Sequence, residues 1–312
     1  MRLKPSEALR FLGAVAAAIL LLGLLVLRVT SCAPVTPPGP AKAPEFATPG
    51  PPPPPPAPPV SIACNIPAWY AAAAVNSVSL RTMPWAPFRR NEIGWEIYAP
   101  MIAREIGTSC PPESAGFAGA YADWQAKQRI QPTGLVTEAE FQTLRNIVQM
   151  RRIFVRARGV CPPAGDEATL EWARTGEGYS GKAVALRPRA FAAYRQMAAA
   201  ARAADPAIAA DPRNLTIFSG YRSPTADAQR CTQDGNCDGI ARAVCSPHRT
   251  GLAMDMYVGQ APGFGPDSTA DPNRLFMSKT PTYRWLLANG YRYGFINYPF
   301  EPWHWEWTGE AP

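Results

Sequence analysis

Glu301-Pro302-Trp303-His304-Trp305-Glu306-Trp307, close to the C-terminus, alternates tryptophan with polar side chains. Successive side chains of a β-strand point to opposite faces, so His304 and Glu306 would share one face and the three tryptophans the other. The stretch therefore predicts a strand with an apolar face packed on a core and a second face that carries polar groups.

A second strand is predicted upstream, in the apolar run from Leu252 to Val258. Alternation places Asp255 on one face, while Met254 and Met256 point to the other face and can fill a core. His248 lies seven residues before Asp255, in the loop that enters this strand. A carboxylate in an apolar strand is costly unless it is paired or binds metal. Because any of the many arginines could pair with Asp255, this residue alone is weak evidence.

The chain contains only two histidines, His248 and His304, and both lie near carboxylates. A catalytic zinc site holds the metal through three protein ligands and leaves one position open, so that bound water can lose a proton near neutral pH. His248, Asp255 and His304 are therefore candidate ligands of Zn²⁺. The alternative is a buried, tryptophan-rich sheet edge in which a histidine is simply hydrogen-bonded.

Three motifs, in this order, resemble those of the VanY-like zinc D-alanyl-D-alanine carboxypeptidases, which are LAS-type metallopeptidases. They are Ser219-Gly-Tyr-Arg222-Ser223, Ser246-x-His248-x-x-Gly251-x-Ala253-x-Asp255 and Glu301-x-x-His304. The resemblance covers about Leu215 to Trp307. It implies the zinc ligands His248, Asp255 and His304, the catalytic base Glu301, and the substrate-binding residues Arg222, Gln229 and Ser246.

These implied roles agree with elementary chemistry. Glu301 would take a proton from the attacking water and return it to the leaving amine. Glu306 is a rival base because it is close to His304, and only the family pattern favours Glu301. The planar guanidinium of Arg222 suits the terminal carboxylate that a carboxypeptidase recognises, although a structural ion pair is the alternative. Neither Ser-x-x-Lys nor Gly-x-Ser-x-Gly occurs, so serine hydrolase chemistry is not indicated.

The resemblance implies a zinc-dependent peptidase that hydrolyses peptidoglycan stem peptides, in the first place a D-alanyl-D-alanine carboxypeptidase. A peptidoglycan endopeptidase of the same fold would use the same ligands. A catalytically inactive wall-binding protein is the alternative from a different class.

Around these motifs, residues 156–312 are predicted to form an α+β domain, with the small antiparallel sheet and flanking helices that the resemblance implies. Pro188 begins an Ala-rich helix that runs to about Ala204. Leu215 to Phe218 is a short strand candidate. Thr280-Pro281 and Gly290 are the start and stop signals of another helix.

Residues 61–155 are predicted to form a small, mainly helical domain. Phe117, Tyr121 and Trp124 recur at helical spacing and would line one helix face, and Thr133-Gly134 is typical of a turn. The pattern resembles the three-helix peptidoglycan-binding module. A plain helical subdomain that packs on the next domain explains the same spacing.

Residues 1–32 contain an apolar run from Phe11 to Leu27 after basic residues, which predicts a signal or membrane anchor. Val29-Thr-Ser-Cys32 resembles a lipobox. The anchor is therefore either uncleaved or a lipid on Cys32, and residues 33–60 form a proline-rich linker. We expect the protein in a bacterial cell envelope, on the periplasmic side, anchored to the inner membrane.

Beyond Cys32 the chain has an even number of cysteines, which suits disulfides in an oxidising compartment. These are Cys64, Cys110, Cys161, Cys231, Cys237 and Cys245. Six cysteines allow 15 pairings, so the connectivity is open. The net charge of +7 is spread without a long Lys/Arg run and does not indicate a nucleic-acid partner. The expected partners are stem peptides and the membrane, with the chain as a monomer.

Overall fold

The computed structural model describes residues 64–156, 166–234 and 246–311. The predicted anchor (1–32) and linker (33–60) lie outside these residues, as do Cys161, Cys237 and Cys245. Across the described ranges no helix combines the length and the apolar character needed to cross a bilayer.

The described residues contain short strands and longer helices, which together give the α+β class that the sequence predicts. The strands are β1 (Pro84–Trp85), β2 (Glu92–Ile93), β3 (Glu171–Trp172), β4 (Ala185–Leu186), β5 (Ile217–Ser219), β6 (Ala253–Met256), β7 (Phe295–Tyr298) and β8 (Glu301–Trp307). The α-helices are α1 (Tyr70–Thr82), α2 (Ala99–Ile106), α3 (Ala115–Lys127), α4 (Glu138–Gln149), α5 (Ile153–Arg156), α6 (Pro188–Ala204), α7 (Pro206–Ala210), α8 (Pro224–Asp234), α9 (Asp271–Lys279) and α10 (Pro281–Asn289).

The two histidine motifs lie in a four-stranded antiparallel sheet with the order β5-β6-β8-β7. In its register Asp255 is opposite His304, and Ala253 is opposite Glu306. Met254, Met256 and Trp305 occupy the other face and are almost fully buried. The alternation read from the sequence therefore holds in both strands, although β6 is shorter than the predicted run from Leu252 to Val258.

The helices of the sheet region follow their local signals. Pro188 is at the first turn of α6, where a missing backbone donor costs nothing. The hydroxyl of Thr280 accepts a hydrogen bond from the backbone N–H of Tyr283 and caps α10. Tyr283 then packs its ring against Trp305, with 6.5 Å between the ring centroids. In this way α10 covers the apolar face of the sheet.

The N-terminal helices surround α3, which is buried along most of its length. Its Gln125 is fully buried, and its amide oxygen accepts from the backbone N–H of Gly134 at 2.8 Å. Gly134 has φ of +71°, and an added Cβ would lie 2.8 Å from the carbonyl oxygen of Ala118. This position requires glycine on both grounds.

The helical region and the sheet region share one hydrophobic core, which extends from Leu80 to Trp307. A buried ion pair crosses between them, because Nη1 of Arg274 lies 3.0 Å from the carboxylate of Glu92. Nε of Arg274 also donates to the carbonyl oxygen of Phe300 at 2.8 Å. All the described residues belong to one compact unit, Pro52–Pro312.

A disulfide joins Cys64 to Cys110 and confirms that the chain contains disulfide bonds. Cys231 is also disulfide-bonded.

Candidate metal centre

His248 is placed by the short 3-10 turn Pro247–Thr250, which leads into β6. The hydroxyl of Ser246 caps this turn and accepts from the backbone N–H of His248 at 3.3 Å. Gly251 follows with φ of +69° and lets the chain enter the strand. The backbone N–H of Ser246 donates to Asp227 at 2.7 Å. His248 is therefore fixed by its own turn and by the helix α8 that carries Asp227.

The side chains of His248, Asp255 and His304 converge on the polar face of the sheet. Oδ2 of Asp255 lies 3.2 Å from Nε2 of His248, and its Oδ1 lies 2.9 Å from Nδ1 of His304. All three residues are buried, and one potential ligand atom from each lies within 4.8 Å of the others. Two ligands about 2.0–2.1 Å from a tetrahedral zinc ion would be roughly 3.3 Å apart. The spacing and the donor set both fit such an ion.

The second nitrogen of each imidazole is held by the protein. Nδ1 of His248 donates to the carbonyl oxygen of Gly220 at 2.7 Å, which leaves Nε2 as the nitrogen that faces Asp255. Nε2 of His304 lies 3.4 Å from Oε1 of Glu306, which leaves Nδ1 toward Asp255. Hydrogen bonds of this kind fix the tautomer and the orientation of a metal-binding histidine.

The electrostatics of the cluster favour a negative charge on Asp255. Burial opposes its ionisation, but the two histidines outweigh burial and hold its pKa well below the usual range. Burial lowers the pKa of His248. For His304, burial acts in the same direction, but the carboxylates of Asp255 and Glu306 raise its pKa to about 9. A buried carboxylate between two imidazoles suits a cation.

Both carboxylate oxygens of Glu306 accept hydrogen bonds from other groups of the protein. One of its carboxylate oxygens accepts from Nε of Arg152 at 2.8 Å, and the other accepts from the backbone N–H of Phe154 at 3.2 Å. Burial opposes its ionisation, but Arg152 and His304 together outweigh burial and lower the pKa of Glu306 to about 2. This pairing argues against Glu306 as the base. Glu301, the first residue of β8, is only partly buried.

A cavity of about 290 Å³ opens beside the cluster and has Asp255 and Arg222 in its wall. Nη2 of Arg222 donates to the hydroxyl of Ser219 at 3.2 Å, and Nη1 lies 3.3 Å from Oδ1 of Asp227. Lys182, Arg230 and the exposed Trp172 also line this cavity. A larger cavity of about 1270 Å³ lies between α2, α9 and α10, and it contains none of the motif residues. Proximity to the cluster, and not size, therefore marks the candidate site.

The three residues predicted to bind substrate lie in different surroundings. Arg222 lines the cavity, and the hydroxyl of Ser246 is engaged with the backbone of His248. Gln229 is exposed on α8 and lines a shallow depression with Thr225. The substrate roles of Gln229 and Ser246 remain predictions.

Two contributors to the site have no signal in the local sequence. Asp227 is buried and accepts from Ser246, Arg222 and Arg249, so it links the Arg222 segment to the His248 turn. Arg152 reaches the site from the helical region, more than 150 residues before Glu306. Both depend on long-range packing, which motif spacing does not reveal.

Comparison with known families supports the sequence interpretation. Residues 183–310 match the family model VanY, described as D-alanyl-D-alanine carboxypeptidase. The matched segment contains β4 to β8, the converging residues His248, Asp255 and His304, and also Arg222 and Glu301. No curated protein matches the chain. The predicted VanY-like resemblance is thus confirmed, while the resemblance of residues 61–155 to a peptidoglycan-binding module stays a prediction.

Proposed function

From the VanY-like segment 183–310 we propose that this protein is a zinc-dependent carboxypeptidase that removes the terminal D-alanine from peptidoglycan stem peptides. One observation carries the proposal. His248, Asp255 and His304 converge, buried, beside a cavity whose wall also contains Arg222.

The proposed metal is held by Nε2 of His248, a carboxylate oxygen of Asp255 and Nδ1 of His304. These are the atoms that face one another across the cluster. A zinc ion bound there would supply Lewis acidity, which polarises the peptide carbonyl and activates water for attack.

The proton chemistry is assigned to Glu301. Its carboxylate would accept the proton of the attacking water and pass it to the leaving amine. The commitment of Glu306 to Arg152 supports this choice, because a buried carboxylate that already accepts from Arg152 and Phe154 is poorly placed to move a proton.

Arg222 is proposed to bind the terminal carboxylate of the substrate. Its guanidinium lines the cavity and is held from behind by Ser219 and Asp227, so its orientation is fixed before the substrate binds. Lys182 and Arg230 add positive charge to the same cavity. Asp255 and Asp267 are the acidic residues in its described lining. This excess of cations suits a substrate with several carboxylates.

The setting of this activity is part of the proposal. The apolar run Phe11–Leu27, the proline-rich segment 33–60 and the even cysteine count support an exported protein that is anchored to the inner membrane and acts on the periplasmic side of a bacterial envelope. The chain is proposed to act there as a monomer. The disulfide between Cys64 and Cys110 agrees with an oxidising compartment.

The purified protein should be incubated with a stem pentapeptide ending in D-Ala-D-Ala, with zinc or with a chelator, and the products weighed by mass spectrometry. We expect release of one D-alanine that depends on zinc. Cleavage of an internal bond without release of D-alanine would assign an endopeptidase instead. Intact substrate with zinc present, together with binding to peptidoglycan, would assign an inactive wall-binding protein.

A further inference from the structure

A buried arginine of the helical region reaches the catalytic sheet. Arg152 lies in the turn between α4 and α5, and both it and Glu306 are nearly inaccessible, with exposed fractions of 6% and 1%. Nε of Arg152 donates to Oε1 of Glu306 at 2.8 Å, and Nη2 donates to the same oxygen. Nη1 is held by Gln149 at 2.6 Å. The guanidinium is therefore fixed on both sides.

Glu306 connects this arginine to the candidate metal ligand His304. The two residues lie two positions apart on the same face of β8, and Oε1 of Glu306 is 3.4 Å from Nε2 of His304. Tyr298 also connects Arg152 to His304, because its ring contacts both side chains. The guanidinium carbon of Arg152 lies 4.2 Å from the centre of the Tyr298 ring, and this ring packs edge-on against His304 with 6.2 Å between centroids.

The function of such an arrangement follows from the geometry of the imidazole. His304 can present Nδ1 to a metal only while Nε2 carries the proton and the ring keeps its orientation, and a fixed carboxylate beside Nε2 secures both. A buried carboxylate is fixed only if its own partner is fixed. Arg152 holds Oε1, the oxygen that faces His304, while the backbone N–H of Phe154 holds the other oxygen. Arg152 lies outside the VanY-like segment 183–310.

We propose that Arg152 is a positioning residue for His304, acting through Glu306, so that the helical region 64–156 forms part of the metal centre. The inference rests on the proposed metal site, but it does not depend on the bond that is cleaved. It gives the helical region a role that is independent of any binding to peptidoglycan.

The test measures metal binding by the full-length chain. The variants are Arg152→Gln, Arg152→Lys and the control Arg151→Gln. Arg151 is the neighbouring residue, and it forms a two-point ion pair at 2.7 Å with Glu105, which belongs to α2. Zinc affinity is measured by competition with a chromophoric chelator, and the Co²⁺-loaded proteins are compared by their visible absorption spectra.

We expect Arg152→Gln to weaken zinc binding by about 10- to 100-fold and to change the Co²⁺ spectrum, because the ligand is no longer oriented. Arg152→Lys should recover part of the affinity, since its ammonium can still pair with Glu306. Arg151→Gln should match the wild type in both measurements.

Two outcomes would overturn the inference in different ways. Wild-type zinc affinity and an unchanged Co²⁺ spectrum in Arg152→Gln would remove the positioning role and leave the proposed function intact. A wild-type protein that binds no zinc would remove the metal site and both proposals with it. If Arg152→Gln does not fold, Arg152→Lys carries the test, because it keeps the buried positive charge but cannot reproduce the guanidinium contacts with Glu306 and Gln149. Wild-type zinc affinity and an unchanged Co²⁺ spectrum in Arg152→Lys would then remove the positioning role.

Discussion

Asp255 and His304 lie directly opposite each other on β6 and β8, with 2.9 Å between Oδ1 and Nδ1. Because these atoms face the same point as Nε2 of His248, we expect all three side chains to be needed to bind the metal ion. Asp255→Asn and His304→Ala should reduce bound zinc from one ion per chain to well below one after dialysis, measured by elemental analysis. Asp211→Asn, a surface control, should keep its metal; equal zinc contents would contradict the assigned site.

Glu301 and Glu306 should behave differently when each is changed to glutamine. Glu301→Gln should retain zinc and lose activity by about 10²- to 10⁴-fold, because only proton transfer is removed. Glu306→Gln should instead lower zinc affinity, because it weakens the contact with His304. Peptide hydrolysis and metal titration on both variants distinguish the roles. The opposite pattern would make Glu306 the base.

Arg222 should set the preference for a free C-terminus. For Arg222→Ala we expect the KM for a pentapeptide acid to rise by about 10- to 100-fold, since hydrogen bonds to a charged group are lost. The C-terminal amide of the same peptide should be affected much less. Arg249→Ala is the matched control, because Arg249 contacts the same Asp227 carboxylate but does not line the cavity. An unchanged ratio of acid to amide hydrolysis in Arg222→Ala would count against carboxylate binding.

The disulfide between Cys64 and Cys110 closes a loop with a sequence separation of 46 residues. Closing such a loop restricts the unfolded chain, so the double variant Cys64→Ser/Cys110→Ser should lose about 2–4 kcal/mol of unfolding free energy. Urea unfolding followed by circular dichroism measures the loss. A midpoint equal to that of the wild type would show that the cross-link does not stabilise this region.

The ion pair of Glu177 with Arg195 should make stability depend on pH. The hydrogen bond from Arg195 is the main cause that lowers the pKa of Glu177, against the opposing effect of burial. A lowered folded pKa means that the stabilisation is present above the ordinary value of about 4.3 and is lost as pH falls through the folded pKa. Glu177→Gln should therefore melt a few degrees below wild type at pH 7, and the gap should narrow below about pH 4. A gap independent of pH would refute the linkage.

Local patterns in the sequence were enough to predict much of the site. Alternation correctly separated His304 from Trp305 and Asp255 from Met254, because strand geometry ties each side chain to one face. Start and stop signals also gave the bounds of α10, which runs from Pro281 to Asn289. These features depend only on neighbours along the chain.

The contacts that support the site were not predictable in the same way. Arg152 is one of many arginines, and nothing near it in sequence shows that its partner is Glu306, 154 positions away. For the same reason Asp255 could not be assigned between an arginine and a metal. The exposed position of Gln229 follows from the orientation of α8, which its short sequence does not determine. Pairing of distant charges is decided by packing in three dimensions.

The buried pair of Arg274 with Glu92 limits how this protein can recombine with its relatives. Arg274 lies inside the VanY-like segment, whereas Glu92 lies outside it. A chimera that joins residues 183–310 to a foreign N-terminal half would remove the buried carboxylate of Glu92 and leave the partly exposed Asp271 as the acid beside the Arg274 guanidinium, next to the carbonyl of Phe300 that precedes Glu301. The two halves are therefore expected to be inherited and exchanged together, not as interchangeable modules.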